Sequence, residues 1–160
     1  MHVYANASFE PATAQTGIAV YLGHRLVDWR SCKQPQPARS TAEAEVTGLA
    51  LGGVVLEGVE AVLGSMLIKA ESPKMFGDNQ ASIHIFKGQG SWRTRCLANR
   101  AAALRARIEA GLLFLGFVAS AEQKADGLTK TFSVPMMGQV RRALGLLDLH
   151  HPPLPPPPVP

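Results

Sequence analysis

The pattern that decides the fold lies in HVYANASFEPATAQTGIAVYLGHRLVDWR, residues 2–30. Runs rich in Val, Ile, Tyr and Trp occupy residues 2–8, 16–23 and 25–30, with Gly- or Pro-containing turns between them. Runs of this composition, bounded by turn residues, predict three β-strands. Because the connections are short, we expect the three strands to form an antiparallel meander.

Helical patterns follow the meander. STAE at residues 40–43 fits a capping box in which Ser40 caps a helix. Glycines farther along this helix lower its propensity, so we predict a break between residues 52 and 60. Further helices are predicted at 79–87, 93–109 and 134–147, and further strands at 73–77 and 112–118. Strands that return through helical crossovers pair in parallel. The expected fold is therefore α/β, with a mixed β-sheet (an antiparallel three-strand meander plus two parallel strands) flanked by α-helices.

The composition is that of one globular domain. The 160 residues are 46% hydrophobic and 18% charged, with a net charge of +4. The most apolar run, residues 46–56, is too short to cross a bilayer, and no cationic segment followed by an apolar stretch opens the sequence, so we expect neither a signal peptide nor a membrane partner. Two cysteines outside any metal-ligand spacing predict reduced thiols and a cytoplasmic or nuclear protein.

The chain ends in a run of prolines, HHPPLPPPPVP. We therefore expect one folded domain over residues 1–147 and a proline-rich disordered tail over residues 148–160. Polyproline segments dock in the aromatic grooves of SH3 and WW domains, so a partner of that type is the alternative to an unselected end.

Three carboxylates lie where an α/β sheet builds its sites. Glu45 falls in the first turns of the helix after the meander, Asp78 follows the fourth strand, and Asp126 follows the fifth. Carboxylates gathered at one edge repel one another unless cations hold them, which predicts Mg²⁺. Each acid also has a structural explanation, because a carboxylate in a first helical turn complements the helix dipole.

Ordered motifs over residues 3–131 resemble the ribonuclease H domain of copia-type retrotransposon reverse transcriptase polyproteins. The matching stretches are ANASF (the family's DASF box), WRSCKQPQPARSTAEAEV (W-x-S-K-K-Q followed by S-T-x-E-A-E), GDNQASI (D-N-x-x-A-I), and WRTRCLANR with EQKADGLTK (R-T-K-H and Q-x-A-D-x-L-T-K). The resemblance implies the mixed-sheet fold already expected. It also implies Mg²⁺-dependent hydrolysis of the RNA strand in an RNA–DNA hybrid.

The resemblance assigns catalytic positions by motif. Glu45, Asp78 and Asp126 match three of the family's four metal-binding carboxylates, which would hold two Mg²⁺ (or Mn²⁺) ions at the scissile phosphate. The fourth position, the first-strand Asp, is Asn6 here. Two unit charges about 4 Å apart interact by about 4 kcal/mol, so loss of this charge corresponds to a rate lower by on the order of a thousandfold. We therefore expect a ribonuclease H-type endonuclease that is impaired or inactive.

Basic and aromatic residues supply candidates for nucleic-acid contact. Under the resemblance, Trp92, Arg93, Arg95 and Arg100 are expected to contact the hybrid. Arginines that solvate a helix flank and a tryptophan in the core are the structural alternatives. Cys96 stands where the family has the His of R-T-K-H, which is a second departure from an active site.

Other functions stay open at this point. One is a non-catalytic module that binds nucleic acid or acts through its proline tail. Another is a transposon relic without function.

Overall fold

The structure is a computed structural model, and it describes residues 1–10, 13–68, 71–88 and 97–146. The predicted tail over residues 148–160 lies outside the described residues, so the domain boundary stays a prediction.

The described residues form strands and helices in the predicted order. The strands are β1 (His2–Ser8), β2 (Gln15–Leu22), β3 (Arg25–Lys33), β4 (Lys74–Gly77) and β5 (Phe114–Phe117). The helices are α1 (Thr41–Ser65), α2 (Gln80–Phe86), α3 (Ala98–Glu109) and α4 (Val134–Ala143). Two short 3₁₀ turns, Ser120–Glu122 and Asp126–Leu128, lie between β5 and α4.

The sheet has the strand order β3-β2-β1-β4-β5. β1 pairs antiparallel with β2, and β2 pairs antiparallel with β3, as the short connections require. β4 pairs parallel with both β1 and β5, because α1 and the α2–α3 segment carry the chain back across the sheet. The predicted mixed sheet is confirmed.

The predicted break in α1 is wrong, since the helix runs without interruption from Thr41 to Ser65. A Cβ on Gly52 would lie 3.3 Å from the Cβ of Ala5, and a Cβ on Gly53 would lie 2.8 Å from Cδ1 of Leu104. These two glycines therefore let α1 approach β1 and α3 closely. The packing gained by that approach outweighs their low helix propensity.

The start of α1 is capped as predicted. The Ser40 hydroxyl oxygen accepts a hydrogen bond from the Glu43 amide at 3.1 Å, and a Glu43 carboxylate oxygen accepts one from the Arg39 amide at 2.9 Å. This exchange satisfies amides that have no partner within the helix. It fixes the first turns of α1, where Glu45 lies.

The main core lies between α1 and one face of the sheet. Val46, Leu49 and Leu56 of α1 are fully buried there, with Val3 and Ile18 from the strands. By length and composition alone α1 could also cross a membrane, because the helix continues beyond the apolar run to Ser65. The core helix of a globular domain meets the same test, so its length does not assign α1 to a membrane.

Candidate active site

The four predicted catalytic positions meet at one edge of the sheet. Asn6 lies in β1, Glu45 in the second turn of α1, Asp78 directly after β4, and Asp126 at the start of a 3₁₀ turn. A hydrogen bond joins Asn6 to Asp126, and the charges of Asp78 and Asp126 both act on Glu45. The topology thus brings together residues that are up to 120 positions apart in sequence.

Asn6 is buried and bonds to the turn that carries Asp126. Its Nδ2 donates to Oδ1 of Asp126 at 2.9 Å and to Oγ1 of Thr129 at 3.5 Å. A carboxylate only accepts hydrogen bonds, so the amide nitrogen must be the atom that faces Asp126. Asn6 therefore has a structural role that an ionised aspartate would not fill.

Asp126 receives a second donor on the same oxygen. Nζ of Lys130 lies 2.6 Å from Oδ1 of Asp126, in an ion pair between residues four apart. The backbone oxygen of Asp126 also accepts a bond from the Thr129 hydroxyl at 3.0 Å. The negative charge of Asp126 is thus directed at protein donors.

Glu45 is buried, with only 3% of its surface exposed. Its Oε1 accepts a hydrogen bond from the Ala7 amide at 3.2 Å, and its Oε2 has no hydrogen-bond partner among the described residues. Burial raises the pKa of Glu45 to about 8; the Ala7 hydrogen bond lowers it, and the charges of Asp78 and Asp126 raise it further. Burial and the two neighbouring carboxylates therefore favour the protonated form of Glu45 when no cation is bound.

The segment after β5 is fastened to β1 by a glutamine. Gln123 is buried; its Nε2 donates to the Ala5 carbonyl at 3.0 Å, and its Oε1 accepts from the Ala125 amide at 3.3 Å. Ser120, at the start of the segment, donates to Oδ2 of Asp78 at 3.0 Å. These bonds set where Asp126 lies relative to Asn6.

The sequence reasoning missed Gln123, Thr129 and Lys130 as parts of this site. All three belong to EQKADGLTK, the stretch that matched a family motif. The signal was therefore present in the motif, of which only the aspartate was assigned a role.

The residues as arranged do not fit the two-ion centre that the resemblance implied. Among residues 1–10, 13–68, 71–88 and 97–146, no group of three or more His, Cys, Asp or Glu side chains could hold a metal ion. Asn6 and Lys130 both direct donors at Asp126, and without a bound cation burial and the neighbouring carboxylates favour the protonated form of Glu45. Each of these features reduces the negative charge that a divalent cation requires.

Most of the predicted nucleic-acid contacts cannot be placed. Trp92, Arg93 and Arg95 lie outside the described residues, as does Cys96. Their roles stay predictions.

Arg100 joins the start of α3 to the start of α1. Its guanidinium donates to Oε1 of Glu43 at 3.1 Å, to Oγ1 of Thr47 at 3.1 Å and to Oε1 of Gln36 at 2.7 Å. These bonds favour the structural alternative for Arg100, although its side chain keeps about a third of its surface exposed. The predicted phosphate contact remains a prediction.

The sequence is similar to a stretch of a longer known protein. No protein-family model matches the chain. Over 155 residues, which are 93% of the chain, it is 27% identical to the Retrovirus-related Pol polyprotein from transposon RE2 of Arabidopsis thaliana. The chain spans only about a tenth of that relative, 11% of its length.

Two solved structures that share this fold are of a ribonuclease H. LC11-RNase H1, isolated from compost by a metagenomic approach, superposes with a TM-score of 0.64 at 14% identity, covering 79% of this chain and 90% of that one. A structure of LC11-RNase H1 in complex with an RNA/DNA hybrid gives a TM-score of 0.59 at 13% identity, covering 79% and 91%. These comparisons confirm the resemblance found in the sequence.

Proposed function

Since the chain is a ribonuclease H-like domain homologous to part of copia-type retrotransposon Pol polyproteins, we propose that it binds RNA–DNA hybrid and hydrolyses the RNA strand weakly or not at all. The observation that carries the proposal is the hydrogen bond from the Asn6 amide to Asp126 at the catalytic edge. This bond puts a neutral donor where the family has a carboxylate.

Two findings support the binding half of the proposal. The fold is shared with an enzyme whose structure contains an RNA/DNA hybrid. The edge that carries Asn6, Glu45 and Asp78 lies at the carboxyl ends of β1 and β4, where sheets of this kind place their sites. A hybrid would be recognised there by its backbone phosphates and its shape.

The charge of the site supports the proposed loss of hydrolysis. The resemblance implies a divalent ion, either Mg²⁺ or Mn²⁺, which would be held by Glu45, Asp78 and Asp126. Without a bound cation, burial and the charges of Asp78 and Asp126 favour the protonated form of Glu45, and Asp126 is paired with Lys130. With Asn6 neutral as well, little negative charge remains to attract a cation.

The first test is cleavage of a labelled RNA–DNA hybrid in Mg²⁺ or Mn²⁺ by the wild-type chain and by Asn6→Asp. We expect little cleavage by the wild type and a rate higher by on the order of a thousandfold in Asn6→Asp. Asn99→Asp is the matched control, because it adds the same charge at an exposed position of α3. It should cleave no faster than the wild type.

Thermal unfolding with and without Mg²⁺ gives a second measurement. In Asn6→Asp two carboxylates face each other across a contact that is now 2.9 Å long, so a bound cation should raise the melting temperature of this variant and leave that of the wild type unchanged. Robust wild-type cleavage that Asp78→Ala abolishes would refute the proposed impairment. Failure of the wild type to bind a hybrid at low salt would refute the proposed binding.

A further inference from the structure

The sheet face opposite α1 carries three aromatic side chains from neighbouring strands, Tyr4 of β1, Phe76 of β4 and Phe114 of β5, which we call the aromatic row. Tyr4 and Phe76 are register partners, and their rings stack with centroids 5.4 Å apart at 28°. The rings of Phe76 and Phe114 meet edge to face, with centroids 6.5 Å apart. The row therefore runs continuously across three strands.

The Phe114 end of the aromatic row is open to solvent. Helix α4 packs at the other end of this face, where Leu144 joins Ala19 and Tyr21 of β2 in a buried cluster. Phe114 is 56% exposed, and the Phe76 ring is partly exposed. An aromatic surface left open in this way is unusual enough to suggest a ligand.

Gly116 keeps the open end flat. It is the register partner of Phe76, and a Cβ there would lie 2.7 Å from Cε1 of Phe114. Because no side chain projects at this position, the Phe114 ring lies down beside the strand and presents a broad surface.

Cations border the aromatic row. Nζ of Lys124 lies 5.2 Å from the centre of the Tyr4 ring and 4.4 Å from that of Tyr21, within the range of a cation–π interaction. Lys74 is exposed and lies two residues before Phe76, so it projects from the same face of β4.

Several of the charges that act on His2, at one end of this area, are positive. Burial lowers the pKa of His2, and so do the neighbouring positive charges, Lys74 and Lys124 among them. Glu122 is the acidic group whose charge acts on Tyr4, where it adds to the effect of burial and raises the pKa of that phenol. The two lysines outweigh this one carboxylate.

From these features we propose that the aromatic row, together with Lys74 and Lys124, binds single-stranded nucleic acid. Bases would stack on Phe114 and on the exposed part of Phe76, and the lysines would pair with backbone phosphates. A stacking surface combined with cations suits this ligand because every base has a π face and every nucleotide carries a negative charge. An uncharged apolar partner would bring no negative charge to match the two lysines.

Binding of a single strand at the aromatic row would add to the proposed binding of a hybrid and does not depend on it. Tyr4 precedes Asn6 by two residues, so both lie on the same face of β1. The aromatic row and the catalytic edge therefore share one face of the sheet. Binding of a single strand is measurable whether or not a hybrid is bound or cleaved.

The test is fluorescence anisotropy of a labelled oligothymidylate with the full 160-residue chain and two matched variants. Phe114→Ala removes the exposed ring of the aromatic row, and we expect it to weaken binding by about 5- to 100-fold. Phe117→Ala is the control, since Phe117 is 49% exposed on the same strand but points to the other face of the sheet. Phe117→Ala should change the dissociation constant less than about twofold, which is a smaller change than the loss of one base–aromatic stacking contact causes.

Two further measurements separate stacking from charge. An abasic oligonucleotide of the same length should bind the wild type more weakly and should not distinguish Phe114→Ala from it, because no base remains to stack. Lys74→Gln should reduce the slope of log K against log salt by about 0.7, the value for one phosphate contact on a single strand. Lys33→Gln, which changes an exposed lysine at the far end of β3, should leave the slope unchanged.

Three results would overturn the proposal. They are no binding of oligothymidylate at low salt, equal losses in Phe114→Ala and Phe117→Ala, and equal affinity for abasic and normal strands. Thermal unfolding of each variant shows whether it is folded, so a loss of binding is attributed to the surface only in a folded protein. If this face instead binds another protein, the expected result is the first of these, no binding of oligothymidylate.

Discussion

Replacing Glu45 by glutamine should remove a pH dependence from the stability of this domain. Glu45 is almost completely buried, and its pKa is raised from 4.5 to about 8. Between these two values the folded protein holds a proton that the unfolded chain has released. The contribution of Glu45 to stability is therefore greatest at or below pH 4.5 and is lost as the pH rises to about 8.

The size of the effect follows from the one proton involved. Within this window the free energy of unfolding should fall by up to about 1.4 kcal/mol for each pH unit. Between pH 5.5 and 7.5 the wild type should thus lose up to about 2.7 kcal/mol. In Glu45→Gln the introduced amide keeps an oxygen that can accept from the Ala7 amide and has no proton to lose, so the variant should lack this fall, and any slope that remains should come from other groups such as His2.

Urea unfolding at half-unit pH steps, followed by circular dichroism, measures the two profiles. The control is Glu57→Gln, which changes an exposed glutamate of the same helix and should keep the wild-type slope. Wild type and Glu45→Gln losing stability in parallel across the window would show that another group titrates, and the reasoning about Glu45 would then be refuted.

Two further predictions concern packing and the role of Arg100. Gly53→Ala should destabilise the domain by about 1–3 kcal/mol, because its Cβ would lie 2.8 Å from Leu104. Gly58→Ala, whose Cβ would have nothing within 4 Å, should stabilise the domain by about 0.5–1 kcal/mol. Chemical unfolding of the two variants measures both effects, and equal effects would contradict the packing account. Arg100→Gln should lower the free energy of unfolding by less than about 1 kcal/mol through loss of the partly exposed ion pair with Glu43. It should change the affinity for a hybrid less than about twofold. A tenfold loss of affinity would show that Arg100 contacts phosphate.

The sheet could be predicted from the sequence because the features that specify each strand lie within a few residues of it. Alternating and β-rich runs mark each strand, and the length of each connection sets its direction. The break predicted in α1 failed because helix propensity describes an isolated helix. What decides at Gly53 is the approach of Leu104, fifty-one positions farther along the chain.

The candidate site was predictable in its members and not in its bonds. The motif placed Asn6, Glu45, Asp78 and Asp126 at one edge, and the structure brings them together there. That the Asn6 amide donates to Asp126 depends on the path of residues 120–130, which Gln123 fixes by bonding to Ala5, 118 positions earlier in the chain. Hydrogen bonds between this segment and β1 form only in the folded protein, so no short stretch of the sequence predicts them.

The hydrogen bond between Asn6 and Asp126 has a consequence for the balance between stability and cation binding at this edge. Because Asn6 and Lys130 both donate to Asp126, protein groups balance the charge of that carboxylate. An aspartate at position 6 would face Asp126 across the same contact, and only a bound cation would relieve the repulsion between the two carboxylates. One side chain thus sets whether this edge is stable by itself or stable only when it is loaded with an ion.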